Sequence, residues 1–96
     1  MRNYEIMYIL KADLSEEARK EKMAALEKIL TDKGASVTAT DESLGLRELA
    51  YPIKDESKGY YVVLKVSMDK AAIDEFNRLV RIDPCVLRHL ITVAHE

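Results

Sequence analysis

An α+β fold, a four-stranded antiparallel sheet covered on one face by two helices, follows from three features of the sequence. Arg2 to Leu10 alternates, with Tyr4, Ile6, Tyr8 and Leu10 on one side and Glu5, Met7 and Ile9 on the other. That period of two is the mark of a strand. Met23, Leu26, Ile29 and Leu30, and later Ile73, Phe76, Leu79 and Val80, recur instead at helical spacing. Between these two helical stretches, two strand-like runs are joined by the polar segment Lys54 to Lys58, which reads as a hairpin.

Each element has its own start and stop signals. Asp13 and Ser15 both offer N-caps for the first helix, Glu16 and Glu17 suit the positive end of its dipole, and Gly34 can end it. Arg19, Lys20, Glu21, Lys22, Glu27 and Lys28 mostly occupy its solvated side. Ala35 to Thr40 starts the second strand, Gly45 bends or bulges it, and Arg47 to Ile53 resumes it. Pro52 lacks an N–H, which puts this strand at the edge of the sheet. Gly59 to Ser67 is the returning strand, Asp69 caps the second helix, Asp83-Pro84 breaks it, and Val86 to Val93 is the last strand. The order βαββαβ is two split β-α-β units, the ferredoxin-like arrangement.

Composition narrows the function. The 96 residues make one domain, 1–96, with 48% apolar residues and a formal charge of −2. Nucleic-acid binding through charge alone is therefore excluded. No apolar run reaches the roughly 18 residues that span a bilayer, so no membrane association is expected. Glu5 and Lys11 interrupt the N-terminal apolar residues, so that segment does not read as a signal peptide. The single cysteine, Cys85, makes no internal disulfide and suits the cytoplasm. Cys85, His89 and His95 lack zinc-ligand spacing, and His89 in an apolar strand reads as a packed residue rather than a base. Cys85 has only Arg88 as a nearby cation, which is no setting for a nucleophile. The first loop, Lys11-Ala12-Asp13-Leu14, has no glycine with which to cradle a phosphate. Neither an enzyme, a metal site, a cofactor nor a small-molecule substrate is indicated.

Two helices cover one face only, and the other carries Met7, Ile9, Tyr61 and Val63, with Leu90 or Ile91. Such an apolar open face points to a partner. Lys58-Gly59-Tyr60-Tyr61-Val62-Val63 resembles the third-strand signature of RNA-recognition-motif proteins, whose stacking positions would fall on Tyr60 and Val62. Parity opposes this reading, because Tyr60, Val62, Leu64 and Val66 are the uniformly apolar set and face the core. A stand-alone domain of that type, or a small-ligand regulatory domain, is the alternative function.

Three segments carry a more specific resemblance: Met1-Arg2-Asn3-Tyr4-Glu5, Gly45-Leu46-Arg47-Glu48-Leu49-Ala50-Tyr51-Pro52-Ile53, and Gly59-Tyr60-Tyr61. With Arg81-Ile82 and Val86-Leu87-Arg88-His89, the chain resembles the bacterial ribosomal small-subunit protein number six from Met1 to Val93. The resemblance implies a ferredoxin-like fold, no catalysis and a ribosome-associated, cytoplasmic life. It further implies a heterodimer with small-subunit protein eighteen and joint binding to the central domain of small-subunit ribosomal RNA. That family commonly has consecutive basic residues before Leu-Ala-Tyr-Pro-Ile; here Glu48 follows Arg47. Adjacent strand positions face opposite ways, so Glu48 need not oppose a phosphate that Arg47 contacts, although it lowers the local positive potential.

The candidate RNA contacts are Arg2, Arg47, Lys54, Lys58 and Arg88, with Asn3 as a polar auxiliary. The candidate protein contacts are Met7, Ile9, Tyr61 and Val63 on the open face, and Tyr51 and Pro52 on the edge strand. Leu49, Tyr51 and Ile53 share one parity, which fits either a partner-binding edge or core facing the helices.

Overall fold

The computed structural model describes residues 2–53 and 56–94. Its elements are β1 (Arg2–Lys11), α1 (Glu16–Asp32), β2 (Ser36–Ile53), β3 (Glu56–Met68), α2 (Lys70–Arg81) and β4 (Val86–Val93). The strands form one antiparallel sheet in the order β2-β3-β1-β4, so β1 and β3 are central and β2 and β4 are edges. This is the ferredoxin-like βαββαβ fold that the periodicities predict.

Local chemistry sets the helix ends. Ser15, not Asp13, is the N-cap of α1, and its hydroxyl accepts the Ala18 N–H at 3.1 Å. At the other end Gly34 takes φ +82°, the Ala35 N–H reaches the Leu30 carbonyl, and the Gly34 N–H reaches that of Thr31. This pair of bonds is a Schellman cap, which needs a left-handed residue where glycine stands. Asp69 occupies the N-cap position of α2 through its carbonyl, which accepts from Ala72 and Ile73, while its side chain makes no capping bond. After α2 the Asp83 carboxylate accepts the Cys85 N–H at 2.9 Å, turning the chain at Pro84.

One face of the sheet and one side of each helix bury a single core. Ile6, Tyr8 and Leu10 of β1 and Val62, Leu64, Val66 and Met68 of β3 meet Met23, Leu26 and Leu30 of α1 and Phe76 and Val80 of α2. Lys22 of α1 ties the helical layer to the α2–β4 connection through the Asp83 carboxylate at 2.7 Å, and this bond raises the Lys22 pKa above its ordinary value. His89 is a packed residue, as its setting in the sequence suggests. Its Nε2 lies 2.8 Å from the Asn77 carboxamide oxygen, its ring meets Phe76 edge-on, and burial, then Arg81, lowers its pKa.

The second strand is where the structure adds most. It runs unbroken from Ser36 to Ile53 but slips register against β3 three times. Between Asp41 and Gly45 it carries extra residues, and Gly45 takes φ +57° there. Between Glu48 and Ile53 the excess is larger: Leu49 to Pro52 stand against Ser57 alone. Four residues opposite one cannot lie flat in a ladder, so the chain arches. The hairpin closes tighter than the sequence suggests, because Ile53 already pairs with Glu56 and only residues 54 and 55 lie between the strands. Lys54 lies outside the described residues.

Candidate protein and nucleic-acid interface

Alternation along β1 sends Met7, Ile9 and Lys11 to the face opposite the helices. Register then fixes what joins them. Val63 stands beside Met7, Tyr61 beside Ile9, and Leu90 and Arg88 of β4 stand beside Met7 and Ile9 on the other side. Ile91 faces the helices and packs on the core, so the fourth strand's contribution to the open face is Leu90.

The arch of β2 folds over this face. Leu49, Ala50, Tyr51 and Ile53 close one side of a groove of about 270 Å³ whose floor is Met7, Ile9 and Tyr61 and whose far wall is Arg88 and Leu90. Leu49, Tyr51 and Ile53 line this open side and not the core under the helices. Pro52 sits in the stretch without ladder partners, so its missing N–H costs nothing. Gly59 makes the close approach possible: a Cβ there would fall 2.3 Å from the Ile9 side chain, with Leu49 3.5 Å away. Ile9 is consequently only 4% exposed, a floor residue and not a free contact surface. Tyr51 is 57% exposed and Leu90 53%.

The cations divide between the two ends of the sheet. Arg47, Gly59 and Lys11 form one row across β2, β3 and β1, which places the two cationic residues about 10 Å apart on the same face. Arg88 stands opposite Ile9, two residues along β1 from Lys11, and its Nη1 donates to the Tyr51 hydroxyl at 2.5 Å. The Arg47 Nε donates to the Leu44 carbonyl at 2.8 Å, which steadies the base of that side chain in the Gly45 bulge.

The chain matches the ribosomal protein S6 family model over residues 3–93. It is 48% identical over 92 residues to small ribosomal subunit protein bS6 of Shouchella clausii, covering 96% of each chain. It is 47% identical over 96 residues to the bS6 protein of Halalkalibacterium halodurans, covering 100% of both. The chain belongs to the ribosomal protein S6 family. Among solved structures, the crystal structure of 30S ribosomal protein S6 from Thermotoga maritima superposes with a TM-score of 0.89. The two are 26% identical, and the match covers 97% of this chain and 87% of that one. S6 is a ribosomal protein of the small subunit, so ribosome and translation follow from the family.

Within this S6 chain the sequence-derived cations do not form one site. Arg2 and Asn3 are exposed at the start of β1, about 23 Å along that strand from Ile9. Lys58 stands opposite Glu48 and shares the parity of Tyr60, so it projects to the helix side and away from Arg47. Lys11 was not among the candidates, although its parity with Met7 and Ile9 marks it in the sequence. Leu49 and Ile53 joined the groove through an arch that no short-range pattern announces. Tyr60 and Val62, the stacking positions of the RNA-recognition-motif alternative, face the helices. Val62 is fully buried, and Tyr60 lies beneath the Arg19 guanidinium, 4.0 Å from its ring centroid. Among the described residues no three His, Cys, Asp or Glu side chains group to hold a metal ion, and no helix is long and apolar enough to cross a membrane.

Proposed function

We propose that this S6-family chain is a non-catalytic structural component of the small subunit that binds the central domain of its ribosomal RNA as a heterodimer with small-subunit protein eighteen, in the cytoplasm. The observation that carries this reading is the junction of an apolar groove with a short row of cations at one end of the open sheet face. The groove suits an apolar anchor from a protein partner, with Met7, Tyr51, Tyr61 and Leu90 as its contacts and Val63 and Pro52 at its margins. Arg47 and Lys11 lie where a phosphate backbone could pass beside that partner, and Arg2 and Asn3 at the far end would serve a second backbone segment. Lys58, on the helix side of the same hairpin, would meet the RNA apart from that row.

A net charge of −2 and dispersed cations give the chain little hold on RNA alone. A basic protein partner supplies the missing charge, so the two proteins bind cooperatively. Filter binding of a central-domain RNA fragment with each protein separately, then with both, tests this. A coupling of about 1–3 kcal/mol or more is expected. Tight saturable binding by this chain alone would overturn the reading. Arg47→Glu should flatten the salt dependence of the joint complex by about one phosphate, a slope change of 0.7–0.9, and leave the heterodimer intact.

A further inference from the structure

The hydrogen bond between Arg88 and Tyr51 joins the two edges of the sheet. Arg88 belongs to β4 and Tyr51 to β2, and β3 and β1 lie between them, about 14 Å of sheet. The bond closes only because Leu49 to Pro52 arch over the open face. No residue of that arch has a register partner on β3; pairing stops at Glu48 and resumes at Ile53. The arch can therefore lift between these two points without breaking a ladder bond. What holds it down is Leu49 packing near Ile9 and the Arg88–Tyr51 bond.

We propose that Leu49 to Pro52 are a strap latched by Arg88, and that an apolar side chain of the protein partner lifts the strap on entering the groove and releases Arg88 to an RNA phosphate. This rests on the reading of partner and RNA given above and supplies a physical link between them. While the strap is down, Arg88 spends its Nη1 donor on a neutral hydroxyl, and the walls of the groove stand close. When the strap lifts, the groove opens and the exposed Arg88 guanidinium recovers the Nη1 donor it needs to grip a phosphate with two nitrogens. Each ligand then favours the state that the other needs, which is positive coupling through a single bond. Arg88 is thus a positioning residue in the free protein and a two-nitrogen phosphate contact only in the complex. The bond is exposed, so it biases the closed state by a factor of about ten at most.

Tyr51→Phe removes the acceptor and keeps the ring. In the free variant, methyl relaxation dispersion at Ile9 and Leu49 should show the lifted state about tenfold more populated than in the parent chain. In RNA titrations the variant alone should bind more tightly, and the gain on adding the partner should shrink by the same factor. Arg88→Met should also raise strap opening, but should weaken RNA binding with the partner present. If Tyr51→Phe leaves the methyl dispersion unchanged, there is no latch. If opening increases while the coupling between partner and RNA stays at the parent value, the strap does not gate the site. A parent chain that shows no cooperativity with the partner would instead overturn the functional reading, and the dispersion measurement would still decide the latch.

Discussion

The two faces of the sheet are built from the same strands and differ by one residue of phase. On the helix side, Ile6, Tyr8, Leu10, Val62 and Leu64 are completely buried. On the other side, Met7, Tyr61, Val63 and Leu90 are equally apolar and remain partly or largely open. Hydrophobicity alone therefore does not assign a side chain to stability or to binding; the layer that covers it does. Ile9 is the instructive exception. It belongs to the open face by parity but is buried, because the chain covers it with its own arch and not with a helix.

The largest test of the contrast is truncation on the two sides. Leu30→Ala or Phe76→Ala should cost about 3–5 kcal/mol in chemical denaturation, since both are fully buried among core neighbours. A loss below 1 kcal/mol for both would show that the helices do not close the core as described. Gly59→Val comes next and strikes both faces. Its Cβ would fall 2.3 Å from Ile9, so the strap or β1 must move, at a cost of about 1–3 kcal/mol. A silent Gly59→Val would mean that the arch does not press on Ile9.

Lys22→Met should cost about 1 kcal/mol, the value of a single partly buried ion pair. The pH dependence has a definite sign. The Asp83 carboxylate raises the Lys22 pKa in the folded state above its ordinary value of 10.5. The contribution is thus complete through neutral pH and is lost as pH climbs beyond 10.5 through the folded value. Denaturation curves of parent and variant should converge there, and a constant gap would show that the pair carries no charge-dependent stability.

The smallest effects are the most discriminating. Leu90→Ala, on the open face, should change stability by less than about 0.5 kcal/mol while weakening partner binding in a pull-down or titration. Tyr8→Phe, on the covered face, should also be nearly neutral, for a different reason. The Tyr8 hydroxyl is buried without a hydrogen-bond partner among the described residues, and burial, with Glu27 and Glu42, drives its pKa upward. Removing it relieves a desolvation penalty and leaves no acceptor stranded. A loss above 1 kcal/mol would mean that the hydroxyl is satisfied by a bound water.

Periodicity carried most of this architecture. The alternation of β1, the apolar stripe of α1, the parity of Tyr60 to Val66 and the limits of β4 each follow from residue order, because strand and helix periods act over a few residues. The groove did not follow. It depends on three register slips in β2, and a slip is a property of two strands, settled by how their bulges twist against each other and not by either segment alone. Gly45 gave a local sign of one slip; nothing local marked the arch at Leu49. The candidate cations were legible as residues but not as a constellation, since Arg2 and Arg47 are brought to opposite ends of the sheet by strand direction. Lys11 was readable by parity alone, yet only pairing sets it beside Gly59 and in the same row as Arg47.

The strand order also fixes when the sheet can exist. β1 is synthesised first but lies between β3 and β4, so its two hydrogen-bonding edges stay unpaired until residues 56–68 and then 86–93 follow it. The β2–β3 hairpin is the one sheet contact between neighbours in sequence and can form early; the pairing of Tyr4 with Val93 spans nearly the whole chain. Such non-local closure slows folding because chain entropy is surrendered before the contacts reward it. On the ribosome, the strand bearing Met7 and Ile9 therefore waits with both edges bare until β3 follows it, and with one edge bare until β4 does. This central strand is open to wrong pairing over that interval, and β4 ends the exposure.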